Sequence, residues 1–338
     1  MIGDRWLRAI ALPGALALAA VISAAAQTSS DPAIKIVVGF SPGGGYDAYA
    51  RLLARHMSRH VPGQPNVIVQ NMPGAAGLKA VQYLDTGAPR DGTVITAFNP
   101  GTITDSLVNA DKIGLKFTDV AWVGSISRDL RVCYAWAATG IKSWDDLKTY
   151  KRFNMGAPAP GTSSFINAAV LKNMFGIAVH QVTGYAGSVE QRLAIERGEL
   201  DGDCGAWSSV PPEWISNKKV NPVVKFAPLP IPALAADVPF VGDLTRSQEA
   251  KDILNVLTAP DALGRPFIAS KQVPANRLAV IRAAFDHAMK DPQFLADALR
   301  LDLPVSGPTQ GPEAEKIVAS IYAASPALVA RAQEIVGK

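Results

Sequence analysis

The sequence predicts an α/β protein of two lobes, on three observations. Short apolar runs of strand type alternate with amphipathic helical stretches, in the manner of βαβ units. Turns rich in Gly, Pro and hydroxyls follow the strands and lead straight into helices. The chain has 338 residues, about 310 after loss of a leader, which is more than a single core usually organises.

The first element is the leader. Arg5 and Arg8 precede an almost wholly apolar run, Ala9 to Ala26, whose Ala24-Ala25-Ala26 fits small-residue cleavage. Pro13 and Gly14 interrupt the run, so residues 1–26 read as a secretory signal peptide and not as a membrane anchor. The protein is therefore expected in the periplasm. Cleavage takes one positive charge from the formal +4, leaving +3 with no Lys/Arg cluster, too mild for a nucleic-acid binder.

Strand-like segments follow at Ile34 to Phe40, Val67 to Val69, Val94 to Phe98, Ala121 to Ser125, Val132 to Trp136, Phe153 to Gly156, His180 to Val182 and Val223 to Phe226. The first helix carries Tyr49, Leu52, Leu53 and Met57 on one face, with Asp47 in its first turn placed to pair with Arg51. His56 and His60 are interleaved with Arg55 and Arg59 and read as a solvated face, not a metal clamp. Ser143 announces a second helix as an N-cap with Asp145 and Asp146 behind it. A third runs from Thr162-Ser163-Ser164 to a stop at Gly176, and a fourth from Gly187-Ser188 to Arg197-Gly198. Beyond Pro260 the pattern reads as purely helical: Asn276 to Met289, Pro292 to Leu301, Glu313 to Ala323 and Pro326 to Val336.

Cys133 and Cys204 are the only cysteines, and an exported chain meets an oxidising compartment. They read either as a disulfide or as two small core residues in strand contexts, since spacing alone does not bring their Cα atoms together.

The junction from Ile34 to Ala50 runs from a buried-type strand through Gly43, Gly44 and Gly45 into a helix. Unpaired N–H groups at the positive end of a helix dipole make it an anion cradle. Dinucleotide binding is excluded because no Asp or Glu occurs from Asn66 to Leu84, where the ribose acid belongs. A P-loop is excluded because no Gly-Lys-Ser/Thr follows the glycines. No histidine lies in a motif that activates a nucleophile, and the cysteines lack metal-ligand spacing. Similar turns recur at Pro73-Gly74-Ala75-Ala76-Gly77, Asn99-Pro100-Gly101-Thr102, Ala157 to Ser163 and Tyr185-Ala186-Gly187-Ser188. These lie at carboxyl ends of strands, where open α/β sheets bind ligands, so Gly101 and Thr102 join the candidates.

Lys35-Ile36-Val37-Val38-Gly39-Phe40-Ser41-Pro42-Gly43-Gly44-Gly45-Tyr46-Asp47, Val69-Gln70-Asn71-Met72-Pro73-Gly74-Ala75-Ala76-Gly77 and Pro89-Arg90-Asp91-Gly92-Thr93 resemble motifs of one family. It is that of the substrate-binding proteins of tripartite tricarboxylate transporters, the Bordetella uptake gene family. Ser143 to Leu147, Gly184 to Ser188, Gly198 to Asp201 and Leu263-Gly264-Arg265-Pro266 continue the likeness.

The resemblance implies a type II periplasmic-binding-protein fold, two α/β lobes joined by crossing strands with the ligand cleft between them. Residues 33–128 form the first part of lobe 1, 129–238 lobe 2, and 239–338 the return to lobe 1 with the C-terminal helices. It implies a non-catalytic receptor, without cofactor or metal and expected as a monomer, that passes a small organic carboxylate to membrane permease subunits. The carboxylate is held by Ser41, Gly43, Gly44, Gly45 and Asp47 in lobe 1, facing Ala159, Gly161, Thr162, Ser163, Gly187 and Ser188 in lobe 2. Asp47 is expected to position its loop, since a bare carboxylate repels a carboxylate ligand. Arg128 is placed either to pair with a distal carboxylate in the cleft, or to bridge to Asp129 or lie exposed. Pro158 and Pro160 leave fewer N–H donors than the family's usual loop, and Met72 stands where a basic residue is common. Two rival readings are a receptor that signals to a partner and a periplasmic hydrolase using Ser163 or Ser208.

Overall fold

The computed structural model describes residues 32–231 and 234–337; the expected leader, 1–26, lies outside these described residues. Strands β1 (Ile34–Val38), β2 (Val67–Asn71), β3 (Val94–Ala97) and β4 (Val120–Ser125) enter a first sheet. The chain then builds a second sheet from β5 (Val132–Trp136), β6 (Phe153–Ala157), β7 (Val179–Thr183), β8 (Gly202–Asp203) and β9 (Val220–Lys225). It returns with β10 (Pro266–Ser270) and β11 (Thr309–Gln310), so that the sheets are ordered β11-β4-β10-β3-β1-β2 and β7-β6-β8-β5-β9. β1 is parallel to β2 and β3, and β6 to β7 and β8, while β10 runs antiparallel between β3 and β4.

Helices in the first half are α1 (Gly45–Met57), α2 (Leu78–Thr86), α3 (Gly101–Val108), α4 (Ala110–Ile113), α5 (Trp144–Thr149) and α6 (Ser163–Phe175). Those that follow are α7 (Ser188–Glu196), α8 (Pro212–Ser216), α9 (Gln248–Thr258), α10 (Ala275–Ala288), α11 (Pro292–Arg300), α12 (Gly311–Tyr322) and α13 (Pro326–Val336). They cover both faces of the sheets, which is why the strands read as continuous apolar runs. Ile34, Ile36 and Val38 pack with Leu52, Leu53 and Phe285 on one side of the first sheet. Val37 and Trp122 pack with Val81, Ile103 and Val318 on the other. The period-2 alternation of a strand sorts these side chains between two cores.

The tail is not purely helical. Pro266–Ser270 is a fully buried strand in the middle of the first sheet, and Thr309–Gln310 pairs with β4. Four apolar residues, Pro266 to Ala269, closed by Ser270 lack the alternation that announces a strand beside long helices. The helical segments within 239–338 are shared between the two cores. α10 and α12 pack on the first sheet, whereas α9 and α13 pack with α6 through Leu254, Leu257 and Leu328. Nor are His56 of α1 and His60, in the 3-10 turn that follows it, a solvated face: His56 is buried, with Nε2 2.9 Å from Asp297 Oδ2, and His60 is 2.9 Å from Asp291. Both carboxylates belong to α11 or its N-cap, which closes over α1. Cys133 and Cys204 are bonded to each other and fully buried, tying β5 to the residue after β8.

Two segments cross between the sheets side by side. The Ile126 amide donates to Arg265 O at 3.1 Å, the Arg265 amide to Ser127 O at 3.2 Å and the Asp129 amide to Asp261 O at 2.8 Å. The two crossings are thus short and hydrogen-bonded to each other.

Candidate functional site

The glycine loop is built by what its neighbours hold. Gly43 sits at φ +80°, a conformation that a side chain would strain, and α1 starts behind Gly44 without any side-chain cap. Asp47, one turn in, is buried and turned back on its own loop. Its carboxylate accepts the Gly43 amide at 2.9 Å, Arg51 Nε at 2.8 Å and Asn71 Nδ2 at 2.8 Å. Burial pushes this carboxyl up, but the bonds from Arg51, Gly43 and Asn71 together outweigh it and hold it below the usual range. Asn71 Nδ2 also reaches Phe40 O at 3.0 Å, so β2 fixes the loop that follows β1.

The candidate residues fall into two facing groups. In the first, the Ser41 amide donates to Ala186 O at 3.2 Å and its hydroxyl to Glu190 at 3.0 Å, while a methyl added at Gly44 would stand 3.2 Å from Ser188 Oγ. Ser41, Gly43, Gly44, Gly45, Gly187 and Ser188 are thus together. In the second, Asn99 Oδ1 accepts the amides of Gly101 at 2.8 Å and Ser163 at 3.0 Å. A Cβ at Gly101 would stand 2.3 Å from the Ser163 nitrogen, so only glycine admits this approach. The hydroxyls of Thr102 and Thr162 are turned to the local carbonyls of Asn99 and Ala159, at 2.6 and 2.8 Å, and Gly161 lies against Asp105.

Of the two lobe-2 segments expected opposite Gly43 to Gly45, the turn at Gly187 and Ser188 stands there and the loop 157–163 does not. The glycine loop faces the β7–α7 turn and residues 208–210, and the loop 157–163 faces 99–105. Strand order is the reason: β1 lies beside β3 and β7 beside β6, so the loops after them meet as neighbouring pairs. Arg128 is exposed and lies over Gly307 on the crossing segment.

The buried guanidiniums between the sheets are instead those of Arg131 and Arg265. Arg131 pairs with Asp129 and stands 3.4 Å from Asp261, with its Nε the one buried side-chain atom lacking a hydrogen bond among the described residues. Arg265 lies 4.8 and 4.9 Å from the ring centres of Tyr46 and Tyr49 and donates to Ser208 Oγ at 2.8 Å. Burial lifts the Tyr46 phenol to about 12 and the Asp261 carboxyl to about 7, the latter opposed by Arg131 and reinforced by Asp129. Ser163 Oγ lies 3.1 Å from both Asp261 and Asn99. A charged residue inside the apolar run Leu263 to Ala269 was the signal for Arg265; nothing in the sequence marked Arg192.

A cavity of about 370 Å³ opens beside the glycine loop, between Gly43, Gly44 and Gly45 and the facing Arg192, Ser208 and Ser209. Arg192 donates to Ser188 Oγ at 3.3 Å and to Ser209 O at 3.0 Å. A second cavity, about 330 Å³, lies between Phe40, Gly74 and Gly77 and Pro158, Gly184 and Tyr185.

No family model matches the chain. It is 27% identical to a UPF0065 protein of Bordetella pertussis over 190 residues, 54% of this chain and 57% of that one. To a UPF0065 protein of Cupriavidus necator it is 39% identical over 92 residues, 27% of each. The matched stretches thus span little more than half of the first relative and about a quarter of the second. The fold is similar to that of the periplasmic binding protein BugD, with a TM-score of 0.70 at 18% identity over 90% of this chain and 96% of that one. MatC of Rhodopseudomonas palustris, solved with bound malate, gives 0.70 at 18% identity over 91% and 99%. An R. palustris protein solved with adipate gives 0.70 at 18% over 91% and 97%. The two sheets and their crossings are therefore a type II periplasmic-binding-protein fold. The chain is thus similar in sequence to UPF0065 proteins over part of its length, and in fold to periplasmic binding proteins.

Proposed function

We propose that this protein is a periplasmic receptor that closes its two lobes on a small organic carboxylate and delivers it to the membrane subunits of a tripartite tricarboxylate-type permease. The observation that carries the reading is the glycine loop itself. Asp47 is engaged by Gly43, Arg51 and Asn71, which leaves the uncapped start of α1 as a positive end at the interlobe cavity. The ligand contacts are Ser41, Gly43, Gly44 and Gly45 from lobe 1 and Gly187 and Ser188 from lobe 2, and closure follows from a ligand touching both. The carboxylates in the similar structures and the leader at 1–26 support capture of an acid outside the cytoplasm. A hydrolase using Ser163 or Ser208 is disfavoured, because those hydroxyls face Asn99 and Asp261, and Arg265, rather than a histidine.

The test is a thermal-shift screen of organic acids on the leaderless chain, since a ligand of the folded state raises the melting temperature by mass action. Gly44→Val places side-chain atoms against Ser188 and is expected to abolish the shift while far-UV circular dichroism stays unchanged. An undiminished shift in that variant would move the site elsewhere.

A further inference from the structure

The lining of the cavity beside the glycine loop differs in charge between its sheltered and its exposed residues. Gly44 is buried and Gly45 half-buried at the uncapped start of α1, and beside them is half-buried Arg192, for which no carboxylate within ion-pair distance occurs among the described residues. Arg265 stands behind, 3.3 Å from where a Cβ on Gly45 would be. The walls are hydrocarbon: Val189, Leu193, Val210, Pro211, Leu301 and Leu303. The exposed part of the lining carries three carboxylates, Glu196, Glu213 and Asp302. Leu193 and Leu301 are 44% and 42% exposed beside them, large apolar groups left uncovered where the cavity meets solvent.

We propose that this cavity selects an organic acid with a single carboxylate and an apolar body, and rejects di- and tricarboxylates. The proposal rests on the receptor reading and names the class of acid it takes. One carboxylate enters against the α1 amides and Arg192, where positive charge is concentrated. The rest of the ligand then lies along the apolar walls, and a volume of about 370 Å³ suits an aliphatic chain or one aromatic ring. A second carboxylate at the far end of such a ligand would face Glu196, Glu213 and Asp302. Like charges set against the wrong ligand are how a site discriminates between molecules that share a terminal group.

Calorimetric titration of the leaderless full-length chain with hexanoate, phenylacetate, malate, adipate and citrate tests this. The monocarboxylates are expected to bind at least about tenfold more tightly than the others. Arg192→Gln is expected to weaken phenylacetate binding about tenfold with an unchanged melting temperature. Glu196→Gln with Glu213→Gln is expected to raise the affinity for adipate relative to that for phenylacetate about tenfold; glutamine at 196 keeps an acceptor for Trp214 Nε1, now 3.1 Å away. If malate, adipate or citrate binds the parent protein more tightly than either monocarboxylate, the proposal fails and the receptor reading stands. If none of the acids binds, both fail.

Discussion

Asn99 caps a helix that belongs to the other sheet: its Oδ1, at the end of β3, accepts the Ser163 amide at the start of α6 at 3.0 Å. The same oxygen lies 3.1 Å from Ser163 Oγ, so one side chain does for α6 what a ligand oxygen does at a helix N-terminus. On the receptor reading, this bond favours the closed form. Asn99→Ala is expected to shift the unliganded chain toward an open form by about 1 kcal/mol, the worth of a cap. Small-angle scattering checks this, as a larger radius of gyration without ligand; an unchanged radius would show that other contacts hold the lobes together.

Asp47 supports a separate prediction. Its removal leaves the Gly43 amide and Asn71 without their acceptor and Arg51 without its partner. Asp47→Ala is expected to cost about 2–3 kcal/mol of stability, the usual result of breaking a buried hydrogen-bonded network, and to weaken ligand binding by loosening the loop. Because the Asp47 carboxyl is held low, its contribution is present above the ordinary carboxylate pKa and is lost as pH falls through the folded value. Urea titrations of both proteins at neutral and strongly acidic pH should therefore show a gap that narrows in acid.

The strands were legible because helices cover both sheet faces, so Ile34 to Val38 and Val132 to Trp136 carry buried side chains on either side. Pro266–Ser270 has the same burial and length but opens with a proline and lies among helices, where so short an apolar run fits either structure. The glycine loops announced themselves locally. Which loop faces which did not, since that is set by strand order: Ser188, beside Gly44, lies in a turn that the sequence marked, but Ser209, beside Gly45, comes from a 3-10 segment with no motif. Arg131 and Asp129 are two residues apart in sequence, yet only the crossing of the chain brings Asp261 and Arg265 to them.

The bond between Cys133 and Cys204 closes a loop of 71 residues. Restricting the unfolded chain over that length is worth about 4 kcal/mol in the loop-closure model. Replacing both cysteines by alanine is expected to lower unfolding free energy by roughly that amount in urea titration. Both sulfurs are fully buried, so reductant should act on the native protein only slowly, a delay that thiol labelling would follow.

Asp203 carries the opposite pH signature to Asp47. Burial lifts its carboxyl to about 6 from an ordinary 3.8, against the bond from the Cys204 amide and the charges of Arg131 and Arg192. The folded protein therefore keeps a proton that the unfolded chain releases, and stability falls as pH rises from about 4 to about 6. Above that window the charged group is buried in both senses, ionised and out of water, and the penalty is complete. Asparagine at this position keeps an oxygen for the Cys204 amide, now 2.8 Å away, and does not ionise. Asp203→Asn is thus expected to exceed the parent in stability by on the order of 2 kcal/mol near neutral pH and to match it near pH 4. Acids that titrate alike in both proteins cancel in that difference, so a gap independent of pH would mean that Asp203 is not the group responsible.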